Sequence, residues 1–306
     1  MPAPGHAMHE ALFHYYSEFD AVAAIHRHVV PGLSPVPDLA TNFLGVRIPA
    51  KIHPDILNTL TGRVEGPPNP GNWHADIAEW GAVLHAVDAA KDTFRIVELG
   101  CGWGCWLVNA GMAARRKGLS LSLIGIEGDS THLVHADETL TLNGFTAADY
   151  ALHHGVAGPK PGQALFPNPQ AGTAEWGGEA VFYPDPKTLK RAQKDPNVQV
   201  LDCYPLTALA GDARIDLLHI DIQGAEVDYV EANFTDIAAQ VSRVLIGTHS
   251  RAIEGRLQDI FLAQGWRLEM DRPAIAPPQN GVPIIRIDGV QMWANPAFNP
   301  TPAPGE

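Results

Sequence analysis

The feature that most constrains this chain is an alternation of apolar strands and helical segments that begins near residue 74. Phe94-Arg95-Ile96-Val97-Glu98-Leu99 is apolar enough for a strand buried on both faces. A glycine-rich turn follows, then a helix pattern from about Cys105 to Lys117 and a second strand from Leu121 to Glu127. The next helix, Thr131 to Leu142, stops at Asn143-Gly144, and a third strand covers Tyr150 to His154. The rhythm resumes with a strand at Ile215 to Ile220, a helix from about Ala225 to Asn233 and a strand at Val241 to Thr248. A helix from Arg251 to Gln264 and two strands, Trp266 to Met270 and Val290 to Trp293, complete it. Such alternation requires an α/β fold with a mainly parallel sheet covered on both faces, and the final pair implies an antiparallel end.

Two stretches fall outside the alternation. Residues 1–74 read as a helical or irregular extension, a lid or an oligomerisation segment. Within it, Leu12, Tyr15, Tyr16, Phe19, Val22 and Ile25 predict a helix over Glu10 to Val30, broken by Pro31, Pro35 and Pro37. The knot Gly66-Pro67-Pro68-Asn69-Pro70-Gly71 marks a boundary, and a helix from Ala75 to Ala90 opens the main domain at residues 75–297. Residues 158–200 interrupt that domain with prolines and two β-like runs, Ala164-Leu165-Phe166 and Ala180-Val181-Phe182-Tyr183. They predict an inserted hairpin or loop over one sheet edge, and residues 298–306 a disordered tail.

Composition narrows the partners. A formal charge of -13 with scattered Lys and Arg argues against a nucleic-acid groove. No run of about 18 apolar residues predicts a membrane span, and Met1 to His6 does not resemble a secretory signal. Cys101, Cys105 and Cys203 form neither a disulfide framework nor a metal pattern, so the default location is cytoplasmic and no metal is expected.

The chemistry concentrates where open parallel sheets bind ligands, at the carboxyl ends of the strands. The first strand delivers Glu98-Leu99-Gly100-Cys101-Gly102-Trp103-Gly104 there. Alternate glycines let the chain turn sharply and let a ligand approach the backbone. Glu127, followed by Gly128, ends the second strand where an acid can accept hydrogen bonds from ribose hydroxyls. This pair fits either a dinucleotide or S-adenosylmethionine. The Gly-x-Gly-x-Gly spacing, the preceding Glu98 and the bulk of Trp103 favour the latter.

The run Ile215-Asp216-Leu217-Leu218-His219-Ile220-Asp221-Ile222-Gln223-Gly224-Ala225-Glu226 closely resembles the signature of FkbM-type methyltransferases. Leu201-Asp202 to Leu209 and Val244 to Ser250 are similar to that family's flanking segments, so the resemblance spans about residues 75–295. It implies a class I methyltransferase (Rossmann-like) fold, with a mostly parallel seven-stranded sheet and helices on both faces. It also implies S-adenosylmethionine as cofactor and a hydroxyl of a sugar, polyketide or similar small molecule as acceptor. The chain departs from the pattern at His219, where the family usually has Lys, at Gln223, where it has Glu, and in the glycine loop.

An alcohol acceptor needs a base, and Asp221 and His249, at successive strand ends, are the candidates. Asp221 can equally hold the cofactor amine, and Glu226 can cap its own helix. Val156 or His154 are the candidates for adenine, Glu79 with Trp80 for the methionine end, and Asn72-Trp73-His74 for a lid. Two competing readings remain: an NAD-dependent oxidoreductase, and a non-catalytic cofactor-binding partner module.

Overall fold

The computed structural model describes residues 14–168 and 176–300, so the start of the predicted Glu10 to Val30 helix and the end of the predicted tail lie outside it. In chain order, β1 (Tyr16–Ser17) and α1 (Ala21–Arg27) come first. A small antiparallel and parallel sheet follows, made of β2 (Leu39–Thr41), β3 (Arg47–Pro49) and, after the short helix α2 (Pro54–Leu57), β4 (Arg63–Val64). The alternation then runs α3 (Ile77–Ala89), β5 (Thr93–Leu99), α4 (Cys105–Arg116), β6 (Ser120–Glu127), α5 (Ser130–Leu142) and β7 (Tyr150–His154). The interruption holds β8 (Val156–Ala157), β9 (Gly162–Pro167), β10 (Val181–Phe182), α6 (Pro186–Ala192), β11 (Val198–Tyr204) and α7 (Leu206–Ala210). The rest is β12 (Ile215–Ile220), α8 (Glu226–Gln240), β13 (Val241–Thr248), α9 (Arg251–Ala263) and β14 (Arg267–Arg272), then the small hairpin β15 (Pro278–Gln279) and β16 (Val282–Pro283), and β17 (Gly289–Ala294).

The main sheet has the order β1-β14-β17-β13-β12-β5-β6-β7. Strands β13, β12, β5, β6 and β7 are parallel, whereas β17 runs antiparallel to both β13 and β14. The expected seven-stranded sheet is therefore corrected to eight. The extra strand is β1, whose Tyr16 and Ser17 pair with Asp271 and Met270 on the otherwise open edge of β14. The predicted N-terminal helix is shortened for the same reason. It begins only at Ala21, where the Asp20 carboxylate accepts the Ala23 N–H at 2.8 Å and fixes the helix start.

Alternating strand residues feed two cores, so helices do cover both faces. Ile96, Leu217 and Leu245 pack under α3 and α4 with Trp80 and Trp106. Phe43, Leu44, Ile48 and Leu57 from the N-terminal segment are buried in that same cluster. Val97, Leu218 and Val244 face Tyr229, Phe261 and Trp293 on the other side. The two β-like runs of residues 158–200 pair as β9 and β10 in a separate four-stranded sheet, β10-β9-β11-β8. At the other end, the Asn299 side-chain amide donates to the Ser242 carbonyl at 2.9 Å and holds the chain to β13 beyond the last strand.

The strand order reverses beside β5, whose neighbours are β12 and β6, and this opens the crevice above their carboxyl ends. Gly100 makes that crevice possible. It sits at φ 75, and a Cβ there would lie 1.9 Å from the Asp221 carbonyl oxygen. Gly100→Ala is expected to destabilise the fold by more than about 3 kcal/mol in chemical denaturation, because the clash is with backbone. Gly118→Ala, at φ 77 with open space around it, is expected to cost only about 1–2 kcal/mol. Equal costs would remove the close approach as the reason for Gly100.

Candidate active site

Two cavities meet above the carboxyl ends of β5, β6, β12 and β13. The first, about 300 Å³, is lined by Glu98, Gly100, Cys101, Gly102, Trp103, Glu127, Gly128 and Val156, all expected from the sequence, together with Glu79 and Asp221. The second, about 630 Å³, is walled by residues 70–76 and by the segment from Arg272 to Val290. His74, Glu79 and Asp221 line both.

Glu98 anchors the first cavity. It is fully buried, accepts the Leu107 N–H at 3.0 Å and the Trp106 N–H at 3.3 Å, and takes the Cys105 thiol at 3.3 Å. It thereby caps α4, which has no side-chain cap from Gly104. Burial outweighs these hydrogen bonds and pushes its pKa up to about 8. Gly104, expected among the cofactor contacts, is absent from the lining; it forms the left-handed turn into α4, against Ala136. Three further loop amides are also engaged. Gly100 and Cys101 donate to the Ile126 carbonyl at 3.0 Å, and Gly102 donates to Glu127 at 2.8 Å. The second Glu127 oxygen accepts the Asp129 N–H at 2.9 Å, which fixes the carboxylate at the end of β6 with lone pairs to spare.

The roof of this cavity comes from the inserted segment. Phe166 and Phe182 from β9 and β10 line it, and Trp176 stacks on His132 with ring centroids 4.0 Å apart. Phe166 lies so close to Gly128 that a Cβ there would approach the ring at 2.8 Å. Of the two adenine candidates, Val156 lines the cavity, whereas the His154 ring is turned to the Gly128 carbonyl at 3.1 Å. Phe166, Trp176 and His132 were not read from the sequence as site residues, although Trp176-Gly177-Gly178 is a plausible aromatic-and-turn signal. At the back, Trp106 borders both His74 and His219.

Asp221 and His249 do come together, with Glu226 as the third member of the group. The His249 ring lies 3.3 Å from Asp221 Oδ1 and 2.9 Å from Glu226 Oε1. Glu226 is fully buried and also accepts the Ile222 and Gly224 N–H groups, so it locks the β12–α8 turn and clamps His249. Burial alone would lower the imidazole pKa, but the hydrogen bonds to Asp221 and Glu226 prevail and raise it to about 10. His249 lines neither cavity, and its two acid partners favour the protonated ring, a state suited to orienting Asp221 and not to accepting a proton. For Asp221, burial works against the charge, yet His249 outweighs it and holds the carboxyl below the usual range. Its side chain keeps 40 % exposure toward the cavities.

Of the second cavity, Asn72-Trp73-His74, Glu79 and Asp221 are legible in the sequence, but its wall from Arg272 to Val290 is not. Arg272, 4 % exposed, pairs with Asp76 at 2.7 Å and lines it beside Asp288. Glu254 accepts the Ala274 N–H at 2.5 Å and the Thr248 hydroxyl at 3.2 Å, pinning this wall to the end of β13. Glu79, on the first turn of α3, is pushed up to about 8 by burial and by the neighbouring Asp76 charge.

The clamp makes a pH-dependent contribution to stability. The folded pKa of His249 lies above the unfolded value of 6.5, so the contribution is complete below pH 6.5, shrinks as pH rises and is gone above about 10. Denaturation of the wild type and of His249→Gln should differ by on the order of 2 kcal/mol at pH 6, converging toward pH 10. A difference that stays constant over that window would contradict the clamp.

No family model matches the chain. A protein of Jannaschia sp. (strain CCS1), provisionally named a methyltransferase, is 51% identical over 267 residues, 87% of this chain and 96% of that one. Methyltransferase FkbM from Methylobacillus flagellatus KT superposes with a TM-score of 0.44 at 16% identity, over 71% of this chain and 54% of that one. This chain thus spans about half the length of that structure. Precorrin-6y C5,15-methyltransferase from Geobacter metallireducens GS-15 superposes with a TM-score of 0.38 at 10% identity, over 69% and 86%. With half of its residues shared along nearly the whole of both chains, the protein belongs to the same methyltransferase family as the Jannaschia protein.

Proposed function

We propose that the protein is an S-adenosylmethionine-dependent O-methyltransferase acting on a hydroxylated small molecule, a sugar, polyketide or similar compound. The observation that carries the choice of cofactor is the Glu98 cap on α4. A dinucleotide fold needs free amides at that helix N-terminus for the pyrophosphate. Here an acid occupies them, and Trp103 fills the space beside it. The acidic Glu127 at the ribose position and the cavity roofed by Phe166, Trp176 and Phe182 suit a nucleoside, and Glu79 suits an ammonium group. These features disfavour the NAD-dependent alternative. The resemblance of the β12 motif to FkbM-type enzymes supports the hydroxyl acceptor.

When bound, the cofactor supplies an electrophilic methyl group on a sulfonium. The chain's own contribution is orientation, exclusion of water and removal of one proton. Asp221 borders both cavities, so it can accept a hydrogen bond from an acceptor hydroxyl in the larger one. A hydroxyl oxygen that attacks the methyl carbon would become strongly acidic as the new O–C bond forms and the S–C bond breaks, so a weak base suffices. The ionised Asp221 takes that proton, and His249 stays protonated beneath it and holds the carboxylate in place.

The test is transfer of labelled methyl groups to a panel of sugars and hydroxylated polyketides. Asp221→Asn should lower turnover at least about 100-fold while changing S-adenosylhomocysteine affinity by less than about 5-fold. Unchanged turnover in the variant would remove Asp221 from the chemistry. Cofactor binding without transfer to any hydroxyl would favour the partner-module reading.

A further inference from the structure

The cofactor cavity has an unusual charge inventory. Among the described residues, Glu79, Glu98, Glu127, Asp129 and Asp221 line it, but no lysine or arginine does. Its possible cationic partners are imidazoles. S-adenosylmethionine carries a carboxylate on its amino-acid end, and a carboxylate left without a donor in a closed cavity is strongly disfavoured. The amides at the α4 N-terminus cannot serve it, because Glu98 holds them.

His219 supplies what is missing. It lies on β12 with 3 % exposure, lines this cavity, and neither ring nitrogen has a hydrogen-bond partner. A buried imidazole with both nitrogens unmatched calls for an explanation, because such groups are normally satisfied. The groups around it are few. On β5, its register partner Glu98 stands 3.9 Å from Nδ1 and is already committed to α4. On β13 the register partner is the apolar Leu245. From α4 comes the Trp106 ring, from the end of its own strand the Asp221 charge, and from the segment before α3 His74. His74 also lines the cavity and has an unmatched Nε2.

We propose that His219, assisted by His74, is the anchor for the carboxylate of the cofactor's amino-acid end, replacing the lysine or arginine that this cavity lacks. The assignment rests on the S-adenosylmethionine reading. Burial keeps the free His219 neutral, with its pKa lowered to about 4. One N–H is therefore available as a donor before any protonation, while Glu79 remains for the amine. The histidine at the position where the FkbM-type signature usually carries lysine is then a working substitution of one donor for another, and not a sign of a lost site.

The test compares two probes that differ only in the carboxylate: S-adenosylhomocysteine and its decarboxylated analogue, S-adenosyl-3-thiopropylamine. Calorimetry on the wild type should show the carboxylate strengthening binding by about 10- to 100-fold. His219→Leu should lose most of that preference, with the affinity for the analogue and the thermal midpoint nearly unchanged. His219→Lys should restore it. Equal losses for both probes in His219→Leu would assign the residue to packing and overturn the proposal, as would an unaltered carboxylate preference. If the wild type binds neither probe, the cofactor reading itself fails, and the anchor falls with it.

Discussion

The arrangement of the site depends on one buried carboxylate. Glu98 lies inside the sheet, under the glycine loop, and accepts the first-turn amides of α4. A helix N-terminus in this position is ordinarily the place where an α/β protein receives a phosphate. By filling it from within, Glu98 stabilises α4 and withdraws those amides from any ligand. It also gives the cavity an acid floor, beside Glu79 and Asp221. A cationic group over this floor would favour the ionised form of these acids, and any anionic group must find donors elsewhere. The unmatched imidazoles of His219 and His74 are the groups positioned to provide them.

The acids of the site are held in different protonation states by their surroundings. Burial without a full cationic partner drives Glu79 and Glu98 to about 8. Asp221 goes the other way because Glu226 and His249 stand behind it. Buried Glu226 keeps His249 charged, and charged His249 keeps Asp221 ionised at the boundary between the two cavities. This sequence of contacts joins the β12–α8 turn to the end of β13. Adjacent parallel strands make it possible, since their carboxyl ends lie side by side.

What could be read from the sequence was what local pattern encodes. The β5–loop–α4–β6 unit, the acid at Glu127 and the strand end at Asp221 all follow from apolar runs, glycines and turns within a few residues. What escaped depends on contacts between distant segments. The pairing of Tyr16 and Ser17 with β14 has no local signal; of the residues whose spacing suggested a longer helix, Ile25, Tyr15 and Phe19 join the core, whereas Tyr16 and Val22 are exposed. Arg272 and Asp288 join Asp76 around the second cavity from distant positions near the other end of the chain, again without a motif. His249 was legible as a site residue, but its charge was not, because that is set by Glu226, which local reasoning left as a helix cap.

The central claim is that the Glu98-capped loop receives a sulfonium nucleoside and not a pyrophosphate. Calorimetric titration of the full chain with S-adenosylhomocysteine and with NAD, under identical conditions, tests it most directly. The account predicts saturable, one-to-one binding of S-adenosylhomocysteine and no measurable heat with NAD. Binding of NAD more tightly than S-adenosylhomocysteine would contradict it.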